Sequence, residues 1–173
     1  AMGLDSQGNI TWFQNYDLGV YGQAITILDI ASDGTIALSQ PAPGAEGATL
    51  GGATHTETGT LVGTIDSAMG TELWSKVVSG TAVEIVAMPG GGAAVMGGVI
   101  GNSSGVVLLN GTGTVSGELA LSPIPAKTGV YKDRTWLAAI DSDSVIVGTT
   151  EVNLTGSVHL VSTTGELLWS TTV

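Results

Sequence analysis

A glycine followed four positions later by tryptophan constrains this chain more than any other feature. It occurs as Gly8-Asn9-Ile10-Thr11-Trp12, as Gly70-Thr71-Glu72-Leu73-Trp74 and as Gly165-Glu166-Leu167-Leu168-Trp169. A fourth stretch, Gly117-Glu118-Leu119-Ala120-Leu121, follows the pattern with Leu121 in place of tryptophan. The anchors lie 62, 47 and 48 residues apart. A short strand precedes each glycine: Leu4 to Ser6, Leu61 to Asp66, Val106 to Asn110 and Val158 to Val161. A large aromatic at one fixed point of each interval implies stacked copies of one structural unit that bury it at equivalent junctions.

A second pattern lies between the anchors: an apolar run, a tight polar turn and another apolar run. Ile25 to Ile30 is followed by Ser32-Asp33-Gly34 and Thr35 to Ser39. Val83 to Met88 is followed by Pro89 to Gly92 and Ala93 to Gly97, and Trp136 to Ile140 by Asp141-Ser142-Asp143 and Ser144 to Thr149. Asp-Gly and Gly-Gly between such runs are hairpin signals. Each interval therefore holds four short strands, A to D, with the anchor on strand D. The expected organisation is one all-β domain over 1–173: a single D strand, then A-B-C-D units at about 24–78, 80–121 and 135–173. Ala1-Met2-Gly3 reads as a tag scar. Charged residues are only 11% of the chain, and the polar positions are mostly Gly, Ser and Thr, which suit strands and turns rather than helices. A β-sandwich would also give short strands, but not an aromatic anchor at the same point of each unit.

Four antiparallel strands in about 40–50 residues is the size of one β-propeller blade. The anchors also resemble a known family. Ile65 to Trp74 and Leu160 to Trp169 look like the repeats of pyrroloquinoline-quinone-type propellers. Leu4-Asp5-Ser6-Gln7-Gly8-Asn9-Ile10-Thr11-Trp12 resembles the Leu-Asp-x-x-Gly-Asn-x-x-Trp repeats of bacterial surface propellers. The resemblance implies that Trp12, Trp74 and Trp169 dock between neighbouring blades, with Leu121 a smaller plug at one junction. Trp136 opens an A strand and is expected in the core, or alternatively exposed near a channel mouth. The family's motifs are structural and leave function open, because propellers host enzymes, scaffolds and lectins.

Closed propellers typically have four or more blades. Three blades and a spare strand leave open edges, which soluble proteins avoid. The expected resolutions are further blades in a longer chain, a second copy completing the ring, or an open array. The first two are preferred to a closed monomer.

Fifteen acidic residues against four basic ones give a formal charge of −11. That field repels nucleic acid and anionic membranes, so neither is expected as a partner. No apolar stretch is long enough to span a bilayer as a helix. The absence of cysteine excludes disulfides and thiol chemistry. A Thr/Ser/Gly-rich surface poor in lysine points to an exported, cell-surface or periplasmic protein.

The long connections, 14–23, 40–57 and 121–135, are all D–A or B–C connections, so alternating strand direction gathers them at one end of the blades. They hold all three tyrosines and three of the four basic residues. The candidate contact residues are Tyr16, Asp17, Tyr21, His55, Tyr131, Lys132 and Arg134, of types common at interfaces. No catalytic constellation stands out. His55 and His159 are far apart, and His159 is expected to face solvent. Asp141-Ser142-Asp143 reads as a turn rather than a calcium loop. Gly101-Asn102-Ser103-Ser104-Gly105 has the letters of Gly-x-Ser-x-Gly but leads into the strand-like run at Val106 rather than a helix, so it makes no nucleophile elbow, and the glycine turns precede no helix that would hold a phosphate. A quinone needs a charged channel, and the A strands offer only Asp29, Glu84 and Trp136. No cofactor or metal is expected. The sequence reads as a non-catalytic binding or scaffold module with a protein or glycan partner. The alternatives are a piece of a propeller enzyme or a lectin-like carbohydrate binder.

Overall fold

The computed structural model describes residues 2–13, 27–44, 47–50, 52–100, 103–121, 135–150 and 156–172. These residues form strands and turns with no helix, so none is long and apolar enough to cross a membrane. The first sheet has the order β3-β4-β7-β8: β3 (Ile27–Ile30), β4 (Thr35–Pro43), β7 (Thr58–Asp66) and β8 (Glu72–Val78). The second contains β9 (Gly80–Met88), β10 (Gly92–Ile100), β11 (Ser103–Leu109) and β12 (Val115–Ala120). The third contains β13 (Thr135–Ala139), β14 (Ser144–Thr150), β15 (Gly156–Ser162) and β16 (Leu167–Thr172). All three are antiparallel with neighbours in chain order.

The expected strand at Trp12 has a partner. β1 (Met2–Leu4) pairs with β2 (Ile10–Phe13), setting Met2 opposite Phe13 and Gly3 opposite Trp12. This hairpin occupies the C and D positions of a unit.

Period-two alternation explains why the sheets stack. In β10, Ala93 and Val95 belong to the core shared with the first sheet, while Ala94 and Met96 belong to the core shared with the third. Val106 and Leu108 against Val107 and Leu109 divide the same way on β11. The second sheet is thus apolar on both faces. The first meets it through Ala37, Val62, Trp74 and Val78, the third through Leu137, Val145, Val147 and Val161. Burial of this apolar surface, worth about 25 cal/mol per Å², holds the array together. The inner strand β9 touches both β3 and β13, so the three A strands meet along a hub.

A further hairpin, β5 (Ala48–Leu50) with β6 (Ala53–His55), is inserted between β4 and β7. It lies across the face of the first sheet that turns away from the second. Leu50 and Ala48 join Leu38, Leu61 and Ile65 in a separate core. A β-carbon on Gly63 would collide with Leu50, so the missing side chain is what admits it.

Candidate functional site

The repeated joint between sheets is the clearest built feature. Each C–D turn is closed by a glycine with positive φ: Gly8, Gly70, Gly113 and Gly165, at φ 85, 67, 73 and 82. A side chain is strained in that conformation. A residue at the head of each turn caps it. Asp5 Oδ1 accepts from the Gln7 and Asn9 amides, Asp66 Oδ1 from Ala68, Asn110 Oδ1 from Thr112 and Thr114, and Ser162 Oγ from Glu166. These are Asx- and Ser-type turns.

The residue four positions after each turn glycine lies on the turn glycine of the next sheet. The Trp12 ring covers Gly70, and its Nε1 donates to the Ser67 carbonyl at 2.6 Å. The Trp74 ring covers Gly113, and its Nε1 donates to the Gly91 carbonyl at 2.7 Å. The third joint departs from the expected register. Val115 pairs with Leu109 and Gly117 with Leu108, as Glu72 pairs with Ile65 and Trp74 with Thr64. The fourth copy is therefore Gly113-Thr114-Val115-Ser116-Gly117, with glycine in the tryptophan position. Gly117 lets the backbone at Thr164 and Gly165 press directly against it. Leu121 is not the tryptophan equivalent. It follows β12, is buried, and fills the core between the second and third sheets.

Trp169 holds the same register position, opposite Leu160, but is 43% exposed, and no sheet of the described residues covers it. Trp136, expected in the core, is 42% exposed and lies across Gly148 of the neighbouring strand. His159, expected to face solvent, stands opposite Val147 on the face turned toward the second sheet. Its Nδ1 is buried without a hydrogen-bond partner among the described residues. The flanking Val158 and Leu160 signalled an apolar strand, but the parity of Val161 is what fixes the face.

Of the candidate contact residues, Tyr16, Asp17, Tyr21, Tyr131, Lys132 and Arg134 lie outside the described residues. His55 is described. It sits on β6 with Nε2 at 2.8 Å from Ser75 Oγ on β8, so it ties the inserted hairpin to the sheet face. The described strand ends that lead into 14–26, 45–46, 122–134 and 151–155 all lie at the end opposite the tight turns.

The tight-turn end gathers carboxylates. Gly90 N donates to Asp33 Oδ2 at 2.6 Å across the first joint, and Ala87 N donates to Asp29 Oδ2 at 2.9 Å. The Gly90 amide, and after it the Thr35 amide, hold the Asp33 carboxyl below its ordinary 3.8. The Asn9 side chain lowers Asp5, and the Asp143 amide lowers Asp141. Asp33 therefore contributes stability above pH 3.8 that is lost as pH falls through its lower folded value. Asp33→Asn removes that contribution. In thermal melts the gap between wild type and variant is expected to narrow below pH 3.8. A gap unchanged by pH would refute the assignment.

A cavity of about 330 Å³ lies at the hub, lined by Asp29, Ile30, Val86, Ala87, Leu137 and Ile140 among others. Asp29 supplies its ionisable group, and that carboxylate already accepts the Ala87 amide. Among the described residues, no three His, Asp or Glu side chains are grouped to hold a metal.

No protein-family model and no curated protein matches the sequence. Among solved structures, BamB from Moraxella catarrhalis is similar, with a TM-score of 0.61 at 16% identity, over 94% of this chain and 40% of that one. The chain thus spans about two fifths of that structure's length. This likeness and the stacked four-stranded sheets define a β-propeller-type fold, whose sheets do not close into a ring among the described residues.

Proposed function

We propose that this chain is a non-catalytic protein-binding scaffold module of an exported or surface protein, with repeats of the quinoprotein or bacterial-surface type. Its contact surface is the end that carries the long connections. One observation supports this most directly. The tight-turn end is committed to capping and to joints between sheets, while the opposite strand ends lead into connections rich in tyrosine and basic residues. Rigid sheets presenting long connections are a common binding arrangement. In an otherwise acidic protein, Lys127, Lys132 and Arg134 fall together in the sequence between β12 and β13, a composition suited to an acidic or mixed protein surface.

The test places a photo-crosslinking residue at position 21 or 131, with position 112 on the tight-turn end as control, in cells that make the protein. A discrete crosslinked protein is expected from 21 or 131 and absent from 112. Crosslinks from 112 alone would sink the proposal. The exposed Trp136 and Trp169 favour a second reading, in which aromatic faces stack on sugar rings. A glycan array silent at high protein concentration would remove it.

A further inference from the structure

The turn between β11 and β12 differs chemically from the other C–D turns. Its head is Asn110, where the others have Asp5, Asp66 and Ser162, and Gly111 follows it directly. This is the one Asn-Gly pair in the sequence. Packing imposes the glycine: a β-carbon on Gly111 would collide with the Gly90 carbonyl oxygen in the β9–β10 turn. With no side chain, Gly111 leaves its own nitrogen unhindered toward the Asn110 side chain. That side chain is held by three donors. The Thr112 hydroxyl donates to Asn110 Oδ1 at 2.8 Å, the Thr112 amide at 3.0 Å and the Thr114 amide at 3.1 Å. Two main-chain N–H donors fix that atom as the oxygen. Donors so placed polarise the amide carbon and stabilise negative charge developing on Oδ1. Among the described residues, nothing accepts from the Gly111 amide and nothing holds Asn110 Nδ2. Both residues are exposed, so water and hydroxide reach them.

We propose that Asn110 is a self-modification site, converted in the folded protein through a succinimide to aspartate and isoaspartate. The Gly111 nitrogen gives its proton to hydroxide and bonds to Asn110 Cγ. The Cγ–Nδ2 bond breaks, and Nδ2 takes a proton from water and leaves as ammonia. Water then opens the ring. Opening at Cγ gives aspartate, and opening at the Asn110 main-chain carbonyl carbon gives isoaspartate. One water is consumed and one ammonia released, with no oxidant or reductant. The two products differ in effect. Aspartate keeps the acceptor that Asp5 and Asp66 supply at the same place. Isoaspartate lengthens the main chain by a methylene inside the turn and displaces Gly113, which the Trp74 ring covers. The modification therefore acts on the joint between the first and second sheets. It lies at the end opposite the long connections and does not depend on the proposed binding role.

The experiment holds the purified protein in mildly alkaline buffer beside a synthetic peptide spanning 106–116. Both are followed by peptide mapping with mass spectrometry and by labelling with isoaspartyl methyltransferase. Conversion at Asn110 is expected in the folded protein at least as fast as in the peptide. Asn9, followed by the branched Ile10, should stay unchanged over the same period. Thr112→Val removes the exposed hydroxyl and keeps both amide donors. It should slow conversion severalfold in the folded protein and leave the peptide's rate unchanged. Asn110→Asp should keep the far-ultraviolet circular dichroism spectrum and take no label. A folded protein that converts more slowly than the peptide would overturn the proposal. So would a Thr112→Val rate equal to that of the wild type, or labelling that persists in Asn110→Asp.

Discussion

Trp74→Ala is expected to destabilise the protein by about 3–5 kcal/mol, the range for truncating a buried tryptophan. Trp74 is 7% exposed, sits in the core between the first and second sheets, and loses an Nε1 donor bond to the Gly91 carbonyl when truncated. Thr64 Oγ1 donates to the same carbonyl at 3.1 Å, so that acceptor keeps one partner and the loss is mostly packing. Urea unfolding followed by circular dichroism measures the effect. Trp169→Ala, in the same register but 43% exposed, should cost the monomer well under half as much. Equal losses in the two variants would show that register, rather than burial against a following sheet, sets the value of the anchor.

Gly117→Ala carries the second large effect. Its new β-carbon would collide with the Gly165 amide nitrogen and the Thr164 carbonyl carbon, both backbone atoms of the third sheet. Flexible side chains can move aside; a hydrogen-bonded turn cannot without shifting the sheet. Overpacking of this kind typically costs about 1–3 kcal/mol. Restoring the repeat's tryptophan with Gly117→Trp should be worse still, although it makes the sequence more regular. The check is a melting series of the glycine, alanine and tryptophan forms. Stabilisation by tryptophan would mean that the third joint has room for a ring.

This third joint also shows how far the sequence could be read. The tryptophans, the Asp-Gly and Gly-Gly turns and the apolar runs locate the three four-stranded sheets, because hairpin chemistry and period-two burial are local properties. The register of the fourth copy is not local. Gly113 and Gly117 both begin a plausible anchor, and Leu121 imitates one because it too is apolar and buried. The distinguishing signal was the cap: Asp5, Asp66 and Ser162 head the other turns, and Asn110 heads the turn closed by Gly113. The β5–β6 hairpin was hidden for a different reason. Residues 44–57 are polar and glycine-rich apart from Leu50 and a few alanines, and a connection anchored by one leucine has no periodicity to detect. His55 was read there as a contact residue because its partner, Ser75, is twenty positions away on another strand. Of the candidate contact surface, the sequence supplies composition and topology supplies the end at which the connections begin.

The inserted hairpin has a consequence for the order in which the molecule comes apart. Repeat arrays are weakest where an end unit lacks a neighbour, and they usually need a dedicated cap there. The first sheet carries its own, since Leu50 seals a face that β1 and β2, with two strands instead of four, cannot fully shield. Among the described residues the third sheet has no such seal, and Trp136 and Trp169 are left partly exposed. Amide exchange should therefore run faster along β16, which is exposed over its whole length, than along β7 beneath the hairpin, which is mostly buried.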